Sequence, residues 1–86
     1  MARFRYSVSI MPREGILDPQ GRAVEAALPQ LGAENVSGVR VGRRVELNVE
    51  APDQGQARAV VERLAGDLLA NPLVERWHIE ALETGP

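Results

Sequence analysis

Residues 36–50, VSGVRVGRRVELNVE, decide the fold, because apolar and polar residues alternate through them. The apolar positions are odd-numbered on both sides of Gly42: they are Val39, Val41, Val45, Leu47 and Val49. Alternation with period two predicts a β-strand with one buried face. A two-residue turn at Gly42-Arg43 would place charged residues on that face, so the pattern disfavours it. Two arrangements remain: one long strand bent at Gly42, or a hairpin whose three-residue loop is Gly42-Arg43-Arg44.

Two further stretches, near the two ends of the chain, show the same alternation. In residues 2–10 every second residue is apolar, from Ala2 to Ile10, and residues 74–82 repeat the pattern around Trp77 and Ile79. Both stretches predict half-buried strands. The opposite face of the predicted sheet carries charges of both signs, so we expect it either to be solvated or to form a polar contact between subunits.

A first amphipathic helix is predicted after the first strand. Asp18-Pro19 is typical of a helix start, because a side-chain acceptor at the N-cap precedes a proline in the first helical position. Pro29 is expected to kink or shorten the last turn, and Gly32 is the expected left-handed residue that ends the helix.

A second amphipathic helix is predicted between the middle and last strands. Asp53 and Gln56 resemble a capping box at its start. Its apolar stripe runs from Ala57 to Leu68, and Asn71-Pro72 is expected to end it, with Asn71 in a left-handed conformation.

This order of elements predicts an α+β fold, a two-layer structure with an antiparallel sheet and two helices on one face. A bent middle strand gives the order β-α-β-α-β, whereas a hairpin gives the ferredoxin-like order βαββαβ. We expect residues 1–86 to form a single domain. Because so small a core gives little stability and the chain has no cysteine, we expect further support from contacts between copies of the chain.

Composition excludes several classes of function. Ten cationic residues, all arginine, against 12 acidic ones give a net charge of −2, which argues against nucleic acid as the partner. No apolar run approaches the about 20 residues of a membrane span. Residues 1–4 begin a strand pattern rather than a signal peptide, so we expect a cytoplasmic protein without membrane contact. With one histidine, His78, and no metal-ligand spacing, we predict no catalytic residue, no metal and no bound cofactor.

Three segments carry a family resemblance. They are Gly15–Gly21 (GILDPQG), Val39–Arg43 (VRVGR) and Leu68–Glu75 (LLANPLVE), and with their flanking residues they cover nearly the whole chain. In this order and spacing they resemble the PurS family, the small subunit of bacterial and archaeal phosphoribosylformylglycinamidine (FGAM) synthase. Family members often have lysine where this chain has Arg13 and Arg43, so any role that needs a lysine there does not transfer.

The resemblance implies a non-catalytic chain that joins a large ATP-dependent synthetase subunit (PurL) to a glutaminase subunit (PurQ). The complex makes FGAM from formylglycinamide ribonucleotide, glutamine and ATP in purine biosynthesis. ATP and Mg would be used by the synthetase subunit, and this chain would bind no cofactor. Family members form homodimers, often paired into tetramers. By motif match, contacts with the partners are expected at Arg13, Glu14, Gly15, Asp18, Gln20, Gly21, Arg40, Gly42 and Arg43.

Two of these residues, Gln20 and Arg43, have no structural role that the sequence pattern explains. We therefore expect Arg43→Glu to weaken assembly with the synthetase subunit and to leave the homo-oligomer intact. The alternative function is a ferredoxin-like regulatory domain that binds a small molecule as a dimer, which would need a ligand site at the dimer interface. An independent enzyme is disfavoured by the single histidine and the absence of cysteine and lysine.

Overall fold

The computed structural model describes residues 1–83, which form a three-stranded antiparallel sheet and two helices. The strands, in the sheet order β2-β1-β3, are β1 (Ala2–Pro12), β2 (Arg43–Ala51) and β3 (Glu75–Leu82). The helical segments are α1 (Pro19–Ala27), a 3₁₀ turn (Pro29–Leu31), α2 (Gln54–Leu64) and a π turn that continues α2 (Ala65–Leu69). The α+β class and the order β-α-β-α-β are thus confirmed.

The middle strand begins only at Arg43. It pairs with β1 in a register that places Arg43 opposite Ile10, and the same register would place Val41 opposite Pro12. Pro12 ends β1 and has no N–H to donate to a ladder. Residues 36–42 consequently run outside the sheet, so both alternatives for this region are wrong: the middle strand is not a long strand bent at Gly42, and no hairpin forms there.

The predicted apolar face of the sheet forms the core. Val8 lies between Val45 on β2 and Ile79 on β3, and its side chain is fully buried. Helix α2 and the π turn after it pack on this face through three fully buried residues, Ala57, Val61 and Ala65. The predicted N-cap of α2 is confirmed, because the Asp53 carboxylate accepts a hydrogen bond from the Gln56 N–H at 2.8 Å.

The π turn changes which leucine faces the core at the end of α2. The Ala70 N–H bonds to the Ala65 carbonyl at 2.9 Å, an i→i+5 bond that accommodates one extra residue in the turn. Leu69 therefore packs against the core, whereas Leu68, which the apolar stripe predicted to be buried, is 73% exposed.

The two predicted helix ends turned out differently. Gly32 has the left-handed conformation expected of it, with φ of 74°. Asn71 does not, because within residues 1–83 only glycines have positive φ. The Asn71 side-chain oxygen instead accepts a hydrogen bond from the Leu73 N–H at 3.2 Å, a local turn that leads the chain into β3.

Helix α1 stands apart from the sheet. Both helices were expected on one face, but α2 is the helix that packs there, and α1 mainly contacts the 3₁₀ turn and residues 39–41. Residues 13–42, here called the arm, extend from the end of the sheet where β1 ends and β2 begins. The radius of gyration is therefore 16.7 Å, compared with about 12 Å for a compact chain of this length.

Candidate partner-binding site

All nine motif residues lie where the arm joins the sheet. Eight of them belong to the arm itself, and Arg43 is the first residue of β2. The structure therefore brings together the residues that the sequence had placed in two separate motifs. Their side chains have different tasks, which the hydrogen bonds distinguish.

Asp18 clamps the start of α1 to the far end of the arm. One carboxylate oxygen accepts from the Gly21 N–H at 3.0 Å, as predicted for an N-cap, and the other accepts from the Val41 N–H at 2.8 Å. These hydrogen bonds, that from Gly21 first, hold the pKa of Asp18 below its usual value because they stabilise the charged form. The second bond was not predicted, and it joins parts of the chain that are 23 residues apart.

Gly21 makes the close approach at this clamp possible. A Cβ atom at this position would lie 2.6 Å from the Val39 carbonyl oxygen and would collide with the Asp18 carboxylate. The Val39 N–H in turn donates to the Glu25 carboxylate at 2.7 Å. The alternate N–H groups of residues 39 and 41 thus bond to two carboxylates of the α1 region instead of a neighbouring strand.

Arg43 has a structural role that the sequence pattern did not explain. Its guanidinium forms a bidentate ion pair with Glu75, with Nη1–Oε2 and Nη2–Oε1 distances of 2.6 and 3.1 Å, and Nη2 also donates to the Leu69 carbonyl. The pair raises the pKa of Arg43 and lowers that of Glu75, mainly through the hydrogen bond between them. Because β2 and β3 are the two edge strands, this pair links them around the end of β1.

Three more motif residues also shape the backbone. Arg13 donates from Nε to the Pro72 carbonyl at 3.0 Å and from its N–H to the Val74 carbonyl at 2.8 Å. Gly15 has φ of 81°, a left-handed turn conformation that favours glycine. At Gly42 a Cβ atom would collide with the backbone of β1, so only glycine fits there.

Glu14, Gln20 and Arg40 are the motif residues whose side chains remain available. Within residues 1–83 none of the three side chains makes a hydrogen bond, and Glu14 and Gln20 are exposed. Arg40 is partly buried and lies close enough to Asp18 to contribute to its lowered pKa.

Two grooves meet at the residues just before the Asp18 cap. The larger, of about 520 Å³, contains Gln20 and Arg43, and the smaller, of about 360 Å³, contains Arg40. Both are lined by Ile16 and Leu17, and Leu17 is 66% exposed. The sequence interpretation missed these two as contact candidates, although an apolar pair between a glycine turn and a helix cap was a usable signal.

The groups exposed at this end of the sheet suit contact with another protein. Within residues 1–83 no three His, Asp or Glu side chains converge in a way that would hold a metal ion, and no helix has the length and apolar character needed to cross a membrane. His78 lies on the polar face of the sheet, opposite Ser9. A rigidly anchored end with an exposed apolar pair and free polar side chains defines a small α+β binding subunit.

Comparison with known proteins identifies the kind of subunit. The sequence profile of the PurS family, described as phosphoribosylformylglycinamidine (FGAM) synthase, matches residues 5–83. The chain is 44% identical over 73 residues to the Synechocystis FGAM synthase subunit PurS, covering 83% of this chain and 73% of that protein. It is 34% identical to the Bacillus subtilis PurS subunit, covering 93% of this chain and 94% of that one.

Solved structures agree with this assignment. Thermus thermophilus PurS superimposes with a TM-score of 0.83 at 41% identity, over 99% of this chain and all (100%) of that one. A chain in the structure of PurLQS from Thermotoga maritima gives a TM-score of 0.87 at 29% identity, over 95% of this chain and 100% of that one. The chain belongs to the PurS family, and it is a subunit of FGAM synthase, an enzyme of purine biosynthesis.

Proposed function

We propose that this chain is the non-catalytic subunit that joins a PurL-type synthetase subunit to a PurQ-type glutaminase subunit. The conversion of formylglycinamide ribonucleotide to FGAM takes nitrogen from glutamine, so ammonia must pass from one partner to the other without loss to water. A subunit that fixes the two partners against each other shortens that path. ATP and Mg belong to the synthetase subunit in this proposal, and the complex acts in the cytoplasm.

The observation that carries the proposal is the exposed apolar pair Ile16-Leu17 on an anchored arm. Leu17 faces both grooves, and the clamp at Asp18 and the Arg43–Glu75 pair fix the backbone on either side of it. A binding interface needs an aromatic or aliphatic anchor that fills a pocket and a rim of polar side chains around it, and the pair supplies an aliphatic anchor of this kind. The Thermotoga maritima relative that occurs in a PurLQS structure supports the same assignment.

The nine motif residues divide into two groups in this proposal. Glu14, Gln20 and Arg40 contact the partners directly, together with Ile16 and Leu17. The others hold the arm in position and act through it: these are Arg13, Gly15, Asp18, Gly21, Gly42 and Arg43. The chain works as one domain and as a homo-oligomer. Contacts with the other copies add stability that a core this small does not give alone.

The test is reconstitution of the complex with a variant of the anchor. We expect Leu17→Asp to abolish co-elution with the synthetase and glutaminase subunits in gel filtration and to remove glutamine-dependent FGAM formation. Leu68→Asp is the matched control, because Leu68 is 73% exposed but lies in the π turn that continues α2, outside both grooves. Equal effects of the two variants, or unchanged assembly by Leu17→Asp, would contradict the proposal.

Arg43→Glu now has a more specific expectation. It places a second carboxylate beside Glu75, so it should loosen the arm and weaken assembly with the synthetase subunit. The homo-oligomer should persist. The double variant Arg43→Glu/Glu75→Arg restores opposite charges, and it should recover part of the assembly if Arg43 acts through the arm. No recovery would instead mean that Arg43 contacts the partner directly.

A further inference from the structure

Residues 39–41 are held from one side only. The Val39 N–H donates to the Glu25 carboxylate at 2.7 Å. The Val41 N–H donates to the Asp18 carboxylate at 2.8 Å, and alternate N–H groups that point to one side are typical of extended backbone. The two carboxylates are seven residues apart, or about two helical turns, so they lie on the same side of α1. Helix α1 therefore takes the place that a neighbouring strand has in a sheet.

The other side of this segment has no partner. Within residues 1–83 neither the N–H nor the carbonyl of Arg40 makes a hydrogen bond. In extended backbone these two groups point away from α1, because the direction of the main-chain groups alternates from one residue to the next. The N–H and carbonyl of Arg40 are here called the free edge. Unpaired main-chain groups along an extended segment are a template for pairing with a second extended chain.

The free edge lies next to the apolar anchor of the proposed interface. Val39 and Arg40 line the smaller groove together with Ile16 and Leu17, and Leu17 is 66% exposed. A partner subunit that covers Leu17 therefore also reaches Arg40. The group that matches a free N–H and a free carbonyl on one residue is the backbone of an extended peptide, which offers both an acceptor and a donor.

We propose that the partner subunit that covers Leu17 adds an extended segment to residues 39–41 as a strand, which pairs with the free edge. This inference rests on the proposed function and names the kind of contact that the partner makes. In strand addition the main-chain hydrogen bonds give affinity, and the side chains beside them select the sequence of the added segment. Leu17 and the Arg40 side chain, which share the smaller groove, have that selecting role here.

Glu25 is a positioning residue in this arrangement. Ordering a flexible segment on binding costs conformational entropy, so a segment that is ordered beforehand binds more tightly. The hydrogen bonds from Val39 to Glu25 and from Val41 to Asp18 order the segment in the free chain. Loss of the Glu25 carboxylate should therefore weaken assembly, although this carboxylate faces α1's side of the segment and does not contact the added strand.

Arg40→Pro tests the backbone contact directly. It removes the N–H of the free edge, and because this N–H is unbonded within residues 1–83, the folded chain loses no hydrogen bond. Arg40→Ala is the matched control, because it removes the same side chain and keeps the N–H. The measurement is the concentration of the chain that gives half of the maximal glutamine-dependent FGAM formation with fixed amounts of synthetase and glutaminase.

We expect Arg40→Pro to raise this half-saturating concentration at least about fivefold more than Arg40→Ala does, since it deletes one main-chain hydrogen bond and blocks the approach of a strand. Circular dichroism of both variants verifies that they are folded. Equal effects of Arg40→Pro and Arg40→Ala would overturn the proposal.

Glu25→Ala and Glu25→Gln test the positioning role. Glu25→Ala removes the acceptor of the Val39 N–H and should raise the half-saturating concentration at least about threefold. Glu25→Gln keeps an acceptor oxygen and should restore most of the loss. Glu34→Ala is the matched control, because Glu34 is exposed on the same arm and its side chain makes no hydrogen bond or ion pair within residues 1–83. An effect of Glu34→Ala as large as that of Glu25→Ala would contradict the positioning role.

Amide hydrogen exchange of the chain alone, followed by NMR, shows whether the free edge is vacant before the partner binds. The N–H of Arg40 should exchange faster than those of Val39 and Val41, because only the latter two are hydrogen-bonded. In Glu25→Ala the exchange at Val39 should accelerate. Slow exchange at Arg40 in the chain alone would mean that another segment or a second copy already pairs with the free edge, and it would overturn the proposal.

The outcomes distinguish this inference from the proposed function. If Leu17→Asp abolishes glutamine-dependent FGAM formation but Arg40→Pro acts like Arg40→Ala, the partner covers the apolar anchor without adding a strand, and only this inference fails. If Leu17→Asp has no effect, the proposed function fails and this inference fails with it.

Discussion

Replacing Arg43 by methionine tests whether the end of the sheet is held by one guanidinium. Methionine keeps most of the apolar stem and removes every donor. The change breaks a bidentate pair with Glu75 whose arginine is 50% exposed, which is worth about 0.5–1 kcal/mol at such exposure. It also removes the hydrogen bond to the Leu69 carbonyl, worth about 1 kcal/mol. We therefore expect a loss of about 1–2 kcal/mol in the free energy of unfolding, or roughly 5–15 °C in Tm.

Arg58→Met is the matched control, because Arg58 is 49% exposed and forms a single pair with Glu62 four residues along α2, at 3.1 Å. Such a pair is worth about 0.3–0.5 kcal/mol. The measurement is urea unfolding followed by circular dichroism, at one fixed protein concentration, since self-association makes apparent stability depend on concentration. Equal losses in the two variants would refute the argument, because they would show that the link between the edge strands adds nothing beyond an ordinary surface pair.

Three other changes have definite expected outcomes. Because the pKa of Glu75 is lowered in the folded chain, the stabilisation that Glu75 gives is present above its unfolded pKa and is lost as the pH falls through its folded pKa. The parent chain should therefore be more stable than Glu75→Gln at pH 7. This difference, measured by thermal melts, should shrink as the pH is lowered to below about 4. Gly21→Ala should cost about 1–3 kcal/mol in urea unfolding through overpacking at the Asp18 clamp, whereas Gly55→Ala, whose added Cβ meets nothing closer than 3.4 Å, should cost less. Asp53→Ala removes the cap of α2 and should lower the unfolding free energy by about 1 kcal/mol, and an unchanged value would show that the cap hydrogen bond is not needed.

The parts of the fold that depend on local signals were predictable. Both helix starts, at Asp18 and Asp53, have the side-chain hydrogen bonds that their sequences predict. The strands near the two ends of the chain follow from alternation, because one face of each is buried in the core that α2 covers. These features depend on residues within a few positions of one another, so a short stretch of sequence is enough to predict each of them.

The middle region shows what alternation leaves undetermined. Residues 39 and 41 keep the apolar phase of the strand, and their N–H groups do point to one side. The phase does not specify what accepts those hydrogen bonds, and here the acceptors are Glu25 and Asp18, 14 and 23 residues away in the chain. Residues 39 and 41 thus have the alternation typical of a strand, but they lie outside the sheet because their N–H groups bond to carboxylates.

The motifs predicted the residues of the candidate site, but the roles of those residues depend on contacts between distant parts of the chain. Arg43 and Glu75 are separated by 32 residues, and nothing local to either shows that they meet around the end of β1. Motif matching grouped Arg43 with Gln20 as residues without a structural role, and only the hydrogen bonds separate the two. The Arg43 guanidinium is already bound to Glu75 and to the Leu69 carbonyl, so it holds the end of the sheet together. The Gln20 side chain makes no hydrogen bond within residues 1–83 and can contact a partner.

The π turn that extends α2 decides which way the end of the helix faces. Each residue of an α-helix turns the chain by about 100°, so rewinding the turn into ordinary α-helix with all its residues kept would rotate everything that follows. Leu68 would turn toward the core in place of Leu69, and the carbonyl that receives the Arg43 guanidinium would point elsewhere. Deleting Gly66 would remove the extra residue together with the π turn, so Leu69 and its carbonyl would keep their directions. The link between the two edge strands thus depends on matching the number of residues in this turn to its winding.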